Sequence, residues 1–235
     1  MGTRTEAAET EPRVERFRNR TEAGVLLAEK LAVYANRRDV IVLALPRGGV
    51  PVAFEIARAL HAPLDLVIVR KLGTPGQEEL AMGAIASGGV QVLNDPIVQS
   101  LDISPADIEA VAARERQELE RRERRYRGSR PPLDVRGRTV ILVDDGIATG
   151  TTMRVAIAAL RSQRPSRIVL AVPVAPLSTC REMKKEVEEL ICLLAPVELW
   201  AISPWYDDFT QTSDAEVSDL LERAERLEGP AAASP

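Results

Sequence analysis

The chain is poor in aromatic residues and has a single histidine. Its 235 residues include only three Phe, three Tyr and two Trp, or 3% aromatic residues, against 45% hydrophobic residues overall. The composition therefore predicts a sizeable core that is mainly aliphatic. His61 precedes Pro63 at the end of a predicted helix, where a C-terminal cap is its expected role. Histidine-based catalytic triads and multi-histidine metal sites are excluded.

The chain also has few cysteines, a small net charge and no long apolar run. Cys180 and Cys192 are the only cysteines, and their spacing matches no metal or redox motif. Two free thiols predict a reducing cytoplasmic location. No apolar run is long enough to span a bilayer, and the N-terminus lacks a signal-peptide pattern, so we expect no membrane association. A net charge of -4 argues against nonspecific nucleic-acid binding.

Two common phosphate-binding motifs are missing. The chain has no Gly-Lys dipeptide, which excludes the phosphate loop of P-loop NTPases, and no G-x-G-x-x-G follows a strand pattern. Any nucleotide or sugar-phosphate site must therefore be of another kind.

Residues 139–152, TVILVDDGIATGTT, form the most informative segment. Four branched apolar residues, Val140 to Val143, predict a buried parallel strand that ends at Asp144 and Asp145. A loop with Gly146 and Gly150 then leads into a helix predicted at 153–164. Asp145-Gly146 could instead form a hairpin turn, but the helical period that follows disfavours this alternative.

The chemistry of this segment suits a sugar phosphate. Amides of the loop and of the first helical turn form an anion nest, which the helix dipole favours. The threonine hydroxyls add donors, and the ionised carboxylates of Asp144 and Asp145 can accept hydrogen bonds from the vicinal hydroxyls of a ribose.

Two upstream segments add cationic residues. The strand predicted at 40–45 leads into Pro46-Arg47-Gly48-Gly49, which exposes amides and a guanidinium to an anion, although an ordinary strand-to-helix turn fits this loop equally well. A strand predicted at 64–70 ends in Arg70-Lys71, followed by a Gly- and Pro-containing stretch that we expect to be a mobile loop able to close over an anion.

The rest of the chain alternates strand and helix patterns. Further strands are predicted at 167–174, 190–194 and 198–202, and further helices at 21–35, 51–60, 104–126, 178–189 and from 213 onward. Residues 82–93, with Gly88-Gly89 at the centre, predict a hairpin at the sheet edge. Helix 104–126 is rich in Arg and Glu, which favours a solvated face with ion pairs over a nucleic-acid patch. Such alternation implies a parallel sheet covered on both faces, with ligands at the carboxyl ends of its strands.

The segment VILVDDGIATGTT resembles the PRPP-binding signature of type I phosphoribosyltransferases, and its loop is closest to the adenine and uracil branches. The resemblance implies an α/β fold: a parallel sheet flanked by helices, a small hood from the terminal segments and a helical insertion at about 104–127. We expect residues 1–15 to be disordered, 16–228 to form one phosphoribosyltransferase domain, and 229–235 to be a loose tail. The resemblance also implies a cis peptide between Pro46 and Arg47.

The same resemblance implies roles for individual residues. Asp144 and Asp145 would bind the ribose hydroxyls, Ala148 to Thr152 the 5-phosphate, and Arg47, Gly48 and Gly49 the pyrophosphate. Arg70 and Lys71, together with the acidic pair, would be catalytic. Mg²⁺ would be the cofactor, bound largely by substrate oxygens with Asp144 and Asp145 in an indirect role. The implied PRPP-binding set is therefore Arg47, Gly48, Gly49, Asp144, Asp145, Ala148, Thr149, Gly150, Thr151 and Thr152.

The acceptor follows less directly. Hypoxanthine-guanine enzymes carry an aspartate where Ala148 stands, so 6-oxopurines are disfavoured, and a general base is either Glu78 or Glu79 or absent. Leu199, Trp200 and Trp205 are candidates for the base pocket, and stacking on a flat base is one use for Trp200, Trp205 and Tyr206. Anchoring of the C-terminal segment to the core explains these aromatic residues equally well.

We therefore expect a homodimeric enzyme that takes PRPP and a small-molecule acceptor. The main alternative is a PRPP-sensing regulator. A purine-repressor type would need an added DNA-binding domain, for which we find no pattern, and an RNA-binding type would need a basic face. A competence-associated accessory type is usually marked by a cysteine-rich N-terminus, which is not seen here. Arg70-Lys71 favours catalysis, since sensing needs no leaving-group stabilisation.

Overall fold

A computed structural model describes residues 15–128, 131–132 and 134–228 of the chain. Its centre is a five-stranded parallel sheet with the strand order β2-β1-β6-β7-β8. The strands are β1 (Val40–Ala44), β2 (Leu64–Leu66), β6 (Thr139–Val143), β7 (Arg167–Val174) and β8 (Glu189–Leu194). The chain moves outward in opposite directions from β1 and from β6, so the strand order reverses between these two central strands. The carboxyl ends of β1 and β6 thus flank the crevice where ligands bind in open parallel sheets.

Helices cover both faces of this sheet, as the sequence pattern predicted. The helices are α1 (Arg20–Lys30), α2 (Gly49–Leu60), α3 (Asp95–Ser100), α4 (Pro105–Arg127), α5 (Thr151–Ser162), α6 (Leu177–Met183) and α7 (Asp214–Glu228). Alternate residues of the central strands enter different cores: Val42 and Ile141 pack with α1, α2, α4 and α7, whereas Leu43 and Leu142 pack with α5 and α6. This two-sided burial explains why β1 and β6 are apolar throughout.

A second sheet corrects two of the sequence predictions. It is antiparallel, with the order β3-β4-β5, and consists of β3 (Val69–Thr74), β4 (Gln77–Ala86) and β5 (Gln91–Leu93). The strand predicted at 64–70 is therefore two strands in two sheets. The hairpin predicted at 82–93 does turn at Gly88-Gly89, both at positive φ, but it belongs to the second sheet instead of the edge of the first. Apolar content alone does not say which sheet a short strand joins.

The two terminal segments pair with each other, which supplies the predicted hood. Phe17 forms an isolated parallel bridge with Tyr206. The Phe17 amide donates to Trp205 O (2.9 Å), and the Asp207 amide donates to Phe17 O (2.8 Å). The rings of Phe17 and Tyr206 lie 5.3 Å apart at their centroids. The hood thus joins residues from opposite ends of the chain.

Helix caps follow the sequence closely. Ser104 accepts from the Asp107 amide at the start of α4, and Ser213 accepts from the Glu216 amide at the start of α7. His61 ends α2 in a left-handed conformation with φ 51°, which confirms its predicted capping role. Helix α4 carries the expected ion pairs on its surface, such as Arg121–Glu118 and Arg124–Glu120.

Three other boundaries differ from the predictions. The helix predicted at 21–35 ends at Lys30 and continues as a 3₁₀ turn, and the helix predicted at 178–189 ends at Met183. Residues 198–202 form no strand, and a 3₁₀ turn follows at Ser203–Trp205. The first fourteen residues of the segment predicted as disordered, 1–15, and the tail 229–235 lie outside the described residues. No helix in the described part of the chain is long and apolar enough to cross a bilayer.

Candidate functional site

The acidic pair and the Arg47 loop lie side by side at the carboxyl edge of the sheet. Asp144 and Asp145 follow β6, and Pro46 to Gly48 follow the adjacent strand β1. A Cβ at Gly48 would lie 1.9 Å from Asp145 Oδ2, and one at Gly49 would lie 2.9 Å from Asp144 Cα. Only glycine therefore permits this close approach. The peptide between Pro46 and Arg47 is cis, as predicted.

Arg20 binds Asp145 from the other side. Asn19 caps α1, and Arg20, in the first turn, points its guanidinium at Asp145: both Nε and Nη2 lie 2.8 Å from Oδ2. The side chains are only 10% and 13% exposed, so the ion pair is largely shielded from water. The hydroxyl of Tyr206 donates to the Asp145 carbonyl oxygen at 2.6 Å. The hood therefore fixes Asp145 through both its side chain and its main chain.

The two carboxyl groups influence each other. Burial raises the pKa of Asp144 well above its ordinary value of 3.8, and the neighbouring Asp145 charge raises that pKa further. Burial also raises the pKa of Asp145, but the Arg20 guanidinium opposes this rise. Arg20 thus favours an ionised Asp145 next to an Asp144 that holds its proton more readily.

The threonine-rich loop is shaped by contacts with α6. Gly150 has φ 78°, and a Cβ there would lie 2.5 Å from Met183 Cε. The Thr179 hydroxyl donates to Ala148 O at 3.2 Å. The Oγ1 atoms of Thr149 and Thr151 are 3.3 Å apart, and Thr151 begins α5. The loop thus presents hydroxyl groups and the amides of a helix N-terminus in one place, which suits an anion.

Arg47 pairs with Asp214, which in turn contacts a second helix. Its guanidinium lies 3.7 Å from Asp214 at the start of α7. Asp214 also accepts from Tyr126 Oη (2.6 Å) and pairs with Arg125 (3.0 Å), both near the end of α4. Burial and the hydrogen bond to Asp214 raise the pKa of Tyr126 to about 12, so the phenol remains a donor at neutral pH. Asp214 therefore links Arg47 to the start of α7 and to the end of α4.

Arg70 and Lys71 lie on strand β3, and the stretch predicted as a mobile loop after Lys71 forms a β-hairpin instead. β3 and β4 are joined by the turn at Pro75-Gly76. Arg70 donates to Glu115 of α4 (2.8 Å), and Lys71 Nζ lies 3.3 Å from Glu79. The two cations line a cavity of about 610 Å³ between the hairpin and α4, together with Arg114. Pro75 and Gly76 form a tight turn, in keeping with their turn propensity, and the residues on either side pair as strands.

The predicted base-binding residues differ in exposure and in packing. Trp200 is 92% exposed, and Leu199 is half-buried. Trp205 packs on a cluster with Phe17 and Tyr206, which supports the anchoring alternative for Trp205 and Tyr206. Ile202 lies close to the acidic pair, since a Cβ at Gly146 would be 2.7 Å from its Cγ2.

Sequence reasoning missed Arg20, Tyr206 as a partner of Asp145, and Asp214. Arg20 is 125 positions from Asp145, and nothing in its local pattern signals the contact. Tyr206 stands out in the sequence only as one of few aromatic residues. Asp214 is recognisable there only as part of a helix start.

The carboxyl groups of the acidic pair are the candidate metal ligands of this site. Across residues 15–128, 131–132 and 134–228, no cluster of three or more His, Cys, Asp or Glu side chains could hold a metal ion. Two carboxyl groups are available, and Oδ2 of Asp145 is engaged by Arg20. This set fits Mg²⁺, which keeps several waters and binds through one or two carboxylates plus phosphate oxygens.

Comparisons with known proteins agree with this architecture. The family model for the phosphoribosyl transferase domain matches residues 20–208. A Mycobacterium tuberculosis H37Rv protein, named provisionally as a phosphoribosyl transferase, is 45% identical over 210 residues. That match covers 89% of this chain and 47% of the relative, so the chain spans about half the relative's length. The bifunctional protein PyrR of Chloroflexus aurantiacus is 35% identical over 136 residues, or 54% of this chain and 65% of PyrR.

The crystal structure of the protein TT1426 from Thermus thermophilus has a closely similar fold. Its TM-score is 0.77 at 42% identity, and the match covers 88% of this chain and 98% of TT1426.

Proposed function

Because this chain belongs to the phosphoribosyltransferase family, we propose that it transfers the 5-phosphoribosyl group of PRPP to a nitrogen of an acceptor. The acceptor would be a nucleobase or a related small molecule, and pyrophosphate would be released. The observation that carries the proposal is the meeting of three elements at one edge of the sheet: the acidic pair, the glycine-containing Arg47 loop and the threonine loop. Each offers the chemistry that one part of PRPP requires.

Binding would divide among these elements. Asp144 and the Oδ1 oxygen of Asp145 would accept hydrogen bonds from the ribose hydroxyls. The hydroxyls and amides of residues 148–152 would hold the 5-phosphate at the start of α5. Arg47, with the amides beside Gly48 and Gly49, would bind the pyrophosphate.

In the reaction, the bond between carbon 1 and the pyrophosphate oxygen breaks, and pyrophosphate leaves with the bonding electrons. The acceptor nitrogen supplies its lone pair to carbon 1 and loses its proton, if it carries one, to solvent or to a base. Charge separates in this step, so cations at the leaving group stabilise the transition state. Arg47, Arg70 and Lys71 are the proposed cations. Mg²⁺, when bound, neutralises pyrophosphate charge.

The hairpin cations must change partners to act. Arg70 is paired with Glu115, and Lys71 with Glu79. Exchange of these carboxylates for pyrophosphate oxygens would couple hairpin movement to leaving-group binding. The same pairs also support a second candidate function, in which PRPP binds without turnover and the protein acts as a sensor.

The acceptor is proposed to exclude guanine, hypoxanthine and xanthine. Ala148 offers no side-chain partner for a purine N7, and an unpaired polar group costs about 1–3 kcal/mol on burial. A nucleophile that is already deprotonated would not need this partner.

Cys180 and Cys192 are free thiols, which fits the proposed cytoplasmic location. The expected homodimer stays a prediction.

The test combines calorimetry with a pyrophosphate-release screen. Wild-type protein should bind Mg-PRPP, and Asp144→Asn should lose this binding. The screen, over nucleobases, pyridine acids and small amines at fixed Mg-PRPP, should identify an acceptor outside the 6-oxopurines. Rapid turnover of guanine would contradict the inference from Ala148. PRPP binding with no turnover of any acceptor would favour the sensor.

A further inference from the structure

A cavity of about 520 Å³ lies at the amino ends of the central strands, opposite the acidic pair. Its lining comes from residues 36–38 before β1, from the end of α2 and the turn after it, from Arg138 before β6, and from the last turns of α7. Because β1 and β6 are each five residues long, roughly 15 Å of strand separates this cavity from the carboxyl edge of the sheet. The cavity is therefore distinct from the candidate site described above.

Basic side chains surround this cavity. Among the described residues that line it, none is Asp or Glu, and five carry a guanidinium or an imidazole group: Arg37, Arg38, Arg58, His61 and Arg138. The chain as a whole has a net charge of -4. A concave surface that gathers cations on an acidic protein attracts anions to that one place.

Two of these arginines have no carboxylate partner in the described part of the chain. The Arg38 side chain forms no ion pair or side-chain hydrogen bond there. Arg138 Nη2 donates to the carbonyl oxygens of Arg38 (2.8 Å) and Val40 (3.4 Å). Main-chain bonds of this kind orient a guanidinium without neutralising its charge, so Arg138 keeps its capacity to bind an anion.

The other two arginines form ion pairs that face water. Arg37 lies 2.7 Å from Asp39, with side chains 43% and 47% exposed, and Arg58 pairs with Glu55 from an exposed position on α2. Exposed ion pairs contribute little stability, so a more highly charged ligand can replace these carboxylates at small cost. Four arginines against two paired carboxylates leave an excess of positive charge at the cavity.

The floor of the cavity is apolar and consists of small side chains. Ala57 of α2, Ala62 and Ala224 of α7 are buried there, and Leu227 stands exposed at the edge. Methyl groups at these three positions leave space that larger side chains would fill. A ligand with anionic groups and a less polar part would therefore find both kinds of surface.

We propose that this cavity binds a small anion with two or more phosphate groups, a class that includes inorganic triphosphate and nucleoside triphosphates. Guanidinium groups match phosphate oxygens in a forked geometry, which favours phosphate over other anions. The volume lies within the range of about 300–1,000 Å³ that is typical of small-molecule sites. The site is independent of the proposed function, because none of its residues belongs to the implied PRPP-binding set.

The experiment is calorimetry with inorganic triphosphate and with ATP, in metal-free buffer at about 150 mM salt. It compares wild type with Arg38→Met, Arg38→Glu, Arg47→Met and the control Arg181→Met. Arg181 is an exposed arginine of α6 outside the cavity, so its loss changes the net charge of the protein as Arg38→Met does. All these side chains lie at the surface or half-buried, so the variants should fold.

Both probes should bind wild type. Arg38→Met should weaken this binding roughly 10- to 100-fold, as expected for lost hydrogen bonds between charged groups, and Arg38→Glu should abolish it at the cavity. Arg181→Met should match wild type. Arg47→Met removes a cation of the carboxyl edge and should leave the cavity site intact. Tighter binding of ATP than of triphosphate would show that the apolar floor contributes, whereas equal binding would assign the affinity to the phosphates.

Three results would overturn the proposal. The first is no binding of triphosphate to wild type at about 1 mM, since a site with several arginines should exceed this affinity. The second is complete loss of binding in Arg47→Met together with no loss in Arg38→Glu, which would place the anion at the carboxyl edge. The third is an equal loss in Arg38→Met and Arg181→Met, which would assign the binding to overall charge. Failure of wild type to bind Mg-PRPP would contradict the proposed function alone.

Discussion

Single residues at the acidic pair combine a proposed binding role with a cost in stability. Asp144 is placed where burial and the neighbouring carboxylate both disfavour its charge. Sites that bind ligands often contain groups that the fold alone would not select. The Arg20 guanidinium opposes this cost directly at Asp145, and its charge also lowers the pKa of Asp144.

Asp144→Asn should therefore abolish Mg-PRPP binding and also stabilise the unliganded protein. The pKa of Asp144 is raised in the folded state, so above about pH 4 the carboxyl ionises more readily in the unfolded chain. The wild type thus loses stability as the pH rises from the unfolded pKa toward the folded pKa. A change of about 1 kcal/mol in the free energy of unfolding shifts the Tm of a domain of this size by roughly 2–4 °C. Scanning calorimetry between pH 4 and 8 should show the variant's advantage in Tm growing with pH, and a constant or negative difference would contradict this.

At the scale of elements, helix α4 connects several parts of the candidate site through ion pairs. It contacts β3 through Arg70–Glu115, and α7 and the Arg47 loop through Asp214. Arg127, at its last turn, forms an ion pair with Asp65 of β2 at 2.7 Å, with side chains only 5% and 9% exposed. A helix whose sequence predicts a solvated face thus also reaches into the interior.

Arg127→Met should destabilise the protein strongly, because it removes the buried ion pair with Asp65 and the hydrogen bond to Leu66 O. The loss of one partner of a buried pair costs about 3–5 kcal/mol. Arg124→Met is the matched control, since Arg124 is 69% exposed and pairs with Glu120 on the surface of the same helix, and its effect should stay within about 0.5 kcal/mol. Urea unfolding of both variants measures the difference. Equal stabilities would show that α4 does not brace the sheet through Arg127.

The β3-β4 hairpin should act in turnover more than in PRPP binding. Lys71→Ala should lower kcat roughly 10- to 1000-fold with little change in PRPP affinity, since leaving-group charge develops mainly in the transition state.

Glu115→Gln, which removes the carboxylate partner of Arg70, should raise the affinity for pyrophosphate. Glu109→Gln is its control, because Glu109 pairs with Arg116 on the same helix. Steady-state kinetics and calorimetry separate these effects, and an equal loss of PRPP affinity in Lys71→Ala and Asp145→Asn would argue against the division.

At the scale of the whole molecule, charge distinguishes an enzyme from an RNA-binding regulator. The chain has 31 Lys and Arg against 35 Asp and Glu, and many of the arginines on α4 are paired with glutamates of the same helix. Little cationic surface is left on this helix for phosphates of a nucleic acid.

We therefore expect no specific RNA binding at about 150 mM salt, with any interaction weaker than roughly 10⁻⁶ M and lost on raising the salt concentration. Filter binding with structured RNA pools, with and without PRPP, provides the measurement. A tight, PRPP-dependent complex with one RNA sequence would instead support the regulatory candidate.

The sequence by itself determined the features that depend on neighbours along the chain. Apolar runs located β1 and β6, and capping residues located the starts of α4 and α7. The Asp144-Asp145 segment resembled the signature of the family and pointed to the edge of the sheet where the candidate site lies. The C-terminal cap at His61 was also predictable, because it depends on residues next to it in the chain, and the family resemblance implied the cis peptide before Arg47.

Only the tertiary structure decided which distant groups complete the site. Arg20 reaches Asp145 across 125 positions, Phe17 pairs with Tyr206, and the Arg70 hairpin joins a second sheet and pairs with α4. Propensity and periodicity describe a few turns of chain, whereas these contacts depend on which elements pack together. Side-chain pairing of this kind is selected by burial and by the need to neutralise buried charge, and neither leaves a local pattern in the sequence.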